Sequence, residues 1–200
     1  MASESNFKGW HSRGYLPHFD GGEICQFITF HLGDALPLKV IDYWKLELAR
    51  EKDDRAKIEL YKRTENYLDK GYGECYLKTD LIAAQAQESL IRFHAVRYKL
   101  IAWVIMPNHV HFLLKPLNNH SLSEIIKKYK SFTAHEINRI LNRRGQFWQE
   151  DYFDRYIRDH EHYEKTISYI ENNPVKAGLC EKPEDWKYSS AYSHRSADDS

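Results

Sequence analysis

Two hundred residues make one domain, or one domain carrying an insertion, long enough to bury a core of its own. With 42% hydrophobic and 29% charged residues the chain reads as an ordinary soluble protein. It has no apolar run near the ~20 residues of a membrane span and no apolar stretch at its start to act as a secretory signal. Basic and acidic side chains balance at 29 each, which disfavours a uniformly polyanion-binding surface. Cys25, Cys75 and Cys180 are scattered without a CxxC pair, against a disulfide framework or structural zinc and in keeping with a reducing cytoplasm.

Residues 1–22 read as irregular, broken by Gly9, Gly14, Pro17 and the Gly21-Gly22 pair. Residues 24–32 (ICQFITFHL), β-branched and aromatic, predict a strand. Pro37 opens a long charged helix from Lys39 to Leu68, which the glycines of 69–74 end. A second helix is expected over 81–93, with Asp80 as its N-cap.

The longest strand falls over 95–106 (AVRYKLIAWVIM). Pro107-Asn108 breaks it, and His109–Lys115 (HVHFLLK) forms its antiparallel partner. Ser121 and Glu124 then make a capping-box signature for a helix over 121–141, with Ile125, Tyr129, Phe132, Ile137 and Leu141 on its apolar side. Residues 147–157 predict a strand, and His160–Asn172 a helix that Pro174 ends. The tail, KPEDWKYSSAY, has turn chemistry and anchoring aromatics. Without βαβαβ alternation, this order predicts an α+β fold whose sheet is mostly antiparallel.

Charge is unevenly spread along these elements. Residues 97–144 hold nine basic and only two acidic side chains, inside flanks that are net acidic. That pattern suits a local polyanion site, and equally a solvated helix face.

Two constellations carry chemistry. His109 and His111 stand at i and i+2 of a strand, so both imidazoles project from one face and can offer two nitrogens to one divalent metal, or be two satisfied histidines. In the last long helix, Tyr163, Ile167 and Ile170 make the core stripe, while Tyr169 points ~130° away from it. Tyr169 and Asn173 are neighbours one turn apart on a polar face with His162 and Thr166. A tyrosine hydroxyl can act as a nucleophile and an amide oxygen can ligate a hard cation, although an exposed helix face explains the pattern as well.

WVIMPNHVHFLL, the basic helix after it, FWQEDYFDRYIRDHEHYEKTISYIENNPVKAGL and the late WKYSS together resemble the REP-associated tyrosine transposases. These are single-tyrosine HUH endonucleases of the IS200-like transposase superfamily. The resemblance spans Tyr15 to Tyr192 and includes the first strand. It implies a split ferredoxin-like βαββαβ domain over 23–195, with residues 38–80 as a helical insertion and 1–22 as a DNA-reading segment.

By the same resemblance Tyr169 is the nucleophile, and His109, His111 and Asn173 hold Mg²⁺ or Mn²⁺. The implied reaction is cleavage and rejoining of single-stranded DNA at a REP-type hairpin through a 5′-phosphotyrosine. Phosphate contacts are expected from Lys127, Lys128, Lys130, Arg139, Arg143 and Arg144, and base reading from Trp10, Arg13 and Tyr15. No P-loop is present, so no nucleotide cofactor is expected, and a monomer is favoured over a homodimer. Two rival readings are a non-catalytic binder of structured single strands and a metal phosphodiesterase that uses water.

Overall fold

The computed structural model describes residues 9–12, 17–49 and 54–192. Among them β3 (Gln26–His31), β4 (Tyr98–Ile105), β5 (His109–Pro116) and β6 (Phe153–Tyr156) form one sheet in the order β4-β5-β3-β6. Every pairing in that sheet is antiparallel. With α3 (Asp80–Ile91) between β3 and β4 and α4 (Leu122–Ile140) between β5 and β6, the chain makes the expected split βαββαβ arrangement. Among the described residues no helix is long and apolar enough to cross a membrane.

Strand alternation sorts the core into two layers. Ile28 and Phe30 of β3, with Val110, Phe112 and Leu114 of β5, face α3 and α4 in the larger cluster. Phe30 packs edge-on against Phe112, Tyr129 and Trp148. The opposite face carries Phe27 and Leu113 against Ile167 and Ile170 of α5 (His160–Lys176). By the same alternation Thr29, His109 and His111 lie on that second face. Both crossover helices thus share one side of the sheet, leaving the other to α5 and one more element.

That element is α2 (Asp54–Leu68), which follows α1 (Leu38–Leu48). Instead of one helix over 39–68, the segment is a pair of helices side by side. Trp44 of α1 meets Tyr67 of α2 edge-on at 5.8 Å between ring centres, whereas a continuous helix would hold them roughly 35 Å apart. Tyr61 stacks on Phe153 of β6 at 4.2 Å, so α2 lies on the α5 side of the sheet. The turn after α2 requires glycine at Gly73, where φ is +86° and a Cβ would meet the Ala35 backbone at 3.1 Å.

Other boundaries also move. The strand expected over 147–157 contracts to β6, because Phe147 and Trp148 turn inward and the Trp148 indole donates to Thr133 Oγ1 at 2.8 Å. The last helix runs through Pro174 to Lys176. Pro174 forfeits one helical hydrogen bond, the one an N–H there would give Ile170 O, without ending the helix, and the true stop is Gly178 at φ +71°. There Gly178 N donates to Val175 O and Leu179 N to Pro174 O, a Schellman ending. Asp80 is the first residue of α3, behind an N-cap at Thr79. Phe132 is 43% exposed rather than core. Ser121 does cap α4, accepting from Glu124 N. The tail covers the β4 edge: Ile105 N donates to Tyr188 O and Trp103 N to Ser190 Oγ.

Within the segment expected to be irregular, β1 (Gly9–Ser12) pairs antiparallel with β2 (Pro17–Asp20). His18 pins this hairpin to β6. Its Nδ1 lies 2.5 Å from Asp154 Oδ1 and its Nε2 3.0 Å from Asp151 Oδ1. Burial alone lowers the pKa of His18, but the bonds to Asp151 and Asp154 outweigh it and raise the group to about 9.

A folded pKa above the unfolded 6.5 means the stabilisation is complete below pH 6.5 and is lost as pH rises through 9. Thermal unfolding is therefore expected to show a decline between pH 7 and pH 10 of the order of 1–3 kcal/mol. His18→Gln should flatten that decline, and an unchanged profile in the variant would assign it to another group.

Candidate active site

β5 sets His109 and His111 side by side, both fully buried, with their rings edge-to-face at 4.7 Å. Each ring is oriented from behind. Asn108 donates through Nδ2 to Leu68 O and Tyr72 O, which fixes its amide and aims Oδ1 at His109 Nδ1, 2.7 Å away. A carbonyl oxygen only accepts, so the His109 proton sits on Nδ1 and Nε2 keeps its lone pair. Thr29 Oγ1 bonds His111 Nδ1 at 2.7 Å.

Both Nε2 atoms lack a hydrogen-bond partner. Burial, with Lys176 nearby, pushes His111 down to about 3. Burial and the neighbouring His111 hold His109 well below its ordinary value. Both rings are neutral at physiological pH, the form that binds metal.

α5 starts at Asp159, whose carboxylate accepts from His162 N at 2.7 Å, and carries Tyr169 and Asn173 to the same place. The Tyr169 ring meets His111 edge-on at 5.6 Å and Phe27 at 5.8 Å. Asn173 is buried and faces His109, yet neither of its amide atoms has a hydrogen-bond partner. The four residues singled out in sequence therefore converge. The Tyr169 face of the helix is covered rather than exposed.

What covers it is α2. The Tyr169 hydroxyl donates to Glu65 Oε2 at 2.5 Å, and the same oxygen lies 3.3 Å from His111 Nε2. Asp69, just past the end of α2, stands with Oδ1 3.9 Å from His109 Nε2 and Oδ2 2.7 Å from Lys176 Nζ. Burial, with repulsion from Asp69, pushes the Glu65 carboxyl up to about 8 despite the Tyr169 bond. Burial and Glu65 raise the Tyr169 phenol.

The ligand atoms of Glu65, His109 and His111 lie within 4.8 Å of one another, and the group can hold a metal ion. The residues fit such an ion, since neutral imidazoles and carboxylate oxygens stand buried without partners around one point. Sequence reasoning missed Glu65 and Asp69. Their spacing of one helical turn was visible, but nothing local said which way that face would turn.

The residues expected to bind DNA divide. Lys127, Lys128 and Arg144 are exposed. Arg139 pairs with Glu136 at 2.9 Å. Arg143 donates to Gln146 O and lies over the Tyr76 ring. Lys130 is turned inward, its ammonium donating to the carbonyls of Gln149, Glu150 and Asp151. All belong to α4 or its C-terminal loop, and α4 packs on the sheet face opposite Tyr169. Arg13, Tyr15 and the Trp10 side chain lie outside the described residues. Beside Tyr169 an open groove of about 480 Å³ runs along α5, lined by Lys165, Asn172 and Lys176 among others.

Comparison with known proteins agrees with this layout. The family model described as "Transposase IS200 like" matches residues 78–173. A Haemophilus influenzae protein given the name REP-associated tyrosine transposase is 30% identical over 103 residues, covering 46% of this chain and 58% of that protein. The REP-associated tyrosine transposase of Escherichia coli K12 is 28% identical over 93 residues, covering 46% and 53%. The matched region thus spans little more than half the length of these curated relatives.

A solved structure of a REP-associated tyrosine transposase bound to a REP hairpin shares the fold. It superposes with a TM-score of 0.56 at 16% identity, covering 90% of this chain and 84% of its own. The segment that the family model matches, 78–173, carries β4, the histidine pair of β5, α4, β6 and the Tyr169–Asn173 turn of α5.

Proposed function

We propose that this protein is a metal-dependent single-stranded DNA endonuclease and strand transferase acting on REP-type hairpin DNA through a 5′-phosphotyrosine link. The observation that carries the reading is the meeting of the Tyr169 ring with two neutral imidazoles whose Nε2 atoms are unpartnered. His109, His111 and Asn173 are the residues that would hold Mg²⁺ or Mn²⁺. Such an ion, when bound, supplies Lewis-acid polarisation of a phosphate oxygen.

Asn108 holds His109 in the ligand tautomer, and Thr29 orients the His111 ring through its Nδ1. α5 holds the Tyr169 oxygen beside them, so that attack on phosphorus forms the Tyr–O–P bond as the bond from phosphorus to the 3′ oxygen breaks. The strand leaves with a free 3′-OH. A second 3′-OH attacking the phosphotyrosine reverses the step, conserving bond energy. The names of the relatives support REP-type hairpins as substrate, and monomeric action needs no residue from a second chain.

Denaturing gels of the protein incubated with Mn²⁺ and end-labelled hairpins flanking its own gene test the proposal. A labelled band at protein mass is expected. Cut DNA without that band would instead indicate attack by water, and binding without cutting a non-catalytic module.

Base reading is assigned to Trp10, Arg13 and Tyr15, and phosphate contacts to the exposed cations of α4 and the loop after it. Replacing both Lys127 and Lys128 with Gln should lower the slope of log affinity against log salt by about one to two units. An unchanged slope returns these lysines to a solvated face. Lys130→Gln should instead cost folding stability, because three carbonyls lose their donor.

A further inference from the structure

We propose that the inserted α1–α2 segment supplies two additional ligands, Glu65 and Asp69, to the divalent-cation site. This protein then takes up the cation without DNA, and the cation fastens α2 over the histidines. The inference rests on the metal-site reading above. It adds to that site two residues that lie outside the IS200-like segment 78–173.

The placement is reciprocal. Glu65 and Asp69 are one helical turn apart, so their carboxylates follow each other down one side of the helix. Glu65 faces His111 at 3.3 Å and Asp69 faces His109 at 3.9 Å. Among the described residues, the buried side-chain atoms without a hydrogen-bond partner include Glu65 Oε1, Asp69 Oδ1, both Nε2 atoms and both amide atoms of Asn173. Unpaired buried polar atoms are costly and rare, and their gathering around the two histidines marks the place of a ligand: Glu65, His109 and His111 bring ligand atoms within 4.8 Å of one another, and Asp69 adjoins the group through His109.

The donor set indicates its chemistry. Two imidazoles and an amide are electrically neutral and bind a hard cation weakly. Two carboxylates add the anionic oxygens that Mg²⁺ and Mn²⁺ favour. Lys176 takes up part of the Asp69 charge through its 2.7 Å pair, leaving Glu65 Oε1 free to bind. Because these ligands sit on α2 and just beyond it, cation binding and docking of the helix are the same event.

Mn²⁺ alone is the probe. Isothermal titration without DNA should show one ion per chain. Melting temperature should rise by roughly 5–10 °C over EDTA at a hundredfold excess above Kd. Glu65→Gln combined with Asp69→Asn should weaken Mn²⁺ at least tenfold and, at the same Mn²⁺ concentration, cut the rise to about half or less. Glu65→Gln alone keeps its shape and an oxygen for Tyr169, so its melting temperature in EDTA should equal or exceed that of the unaltered protein. Mn²⁺ should also slow tryptic cleavage at Lys62 and Arg63 of α2 in the unaltered protein alone.

Equal affinity in the double variant, or no Mn²⁺ uptake by the unaltered protein without DNA, would overturn the assignment. Adduct formation on hairpin DNA reports separately. An adduct without DNA-independent uptake removes only the α2 ligands, and full uptake without an adduct removes only the phosphotyrosine chemistry.

Discussion

Tyr169→Phe should leave no detectable protein–DNA adduct and lower strand cleavage by at least ~10³-fold, because it deletes only the attacking oxygen. The ring contacts with Phe27 and His111 survive the change, so fold and hairpin affinity should persist. Tyr163→Phe is the control on the same helix. Tyr163 lies beside Ile167 against the second core cluster and away from the histidines, and its variant should retain the adduct. An end-labelled hairpin on a denaturing protein gel reads both. An adduct that persists in the Tyr169 variant and disappears in the Tyr163 variant would reverse the assignment.

Asn108→Ala is expected to be the most damaging single change outside the nucleophile. The side chain is fully buried and serves three partners, the carbonyls of Leu68 and Tyr72 and the His109 ring. Alanine leaves all three without a partner, a loss of about 2–5 kcal/mol in urea unfolding. It also frees the His109 tautomer and loosens the end of α2, so Mn²⁺ affinity should fall roughly 10- to 100-fold, as for other groups that orient a ligand from behind. Asn108→Asp keeps the acceptor but loses both donations to carbonyls, and should weaken the α2 end while sparing the histidine. If Asn108→Ala matched the unaltered protein in both measurements, the link between the α2 end and the histidine pair would be refuted.

Much of the candidate site is legible in the order and spacing of its residues, and the reason is local periodicity. His-x-His on a strand fixes two rings on one face whatever surrounds them. Tyr169 and Asn173, four residues apart, stay neighbours on any helix. The sheet followed from the same rule, since PN between two apolar runs favours a tight antiparallel pair. The motif order also carried the family resemblance.

What local period cannot express is which distant face meets which. The Tyr169–Glu65 bond joins residues 104 apart in sequence, and the His18–Asp154 bond residues 136 apart. Neither has a pattern that announces it. The same limit explains the basic helix. Sequence spacing showed a run of cations, but only the packing of α4 on the far side of the sheet, with Lys130 folded onto three carbonyls, decided which of them remain exposed. Strand and helix periodicity thus sufficed to single out the two histidines, the tyrosine and the elements that bear them. Only the packing of α2 against the sheet brought the carboxylates of Glu65 and Asp69 over them, because a helix face acquires its partner only when the sheet presents one.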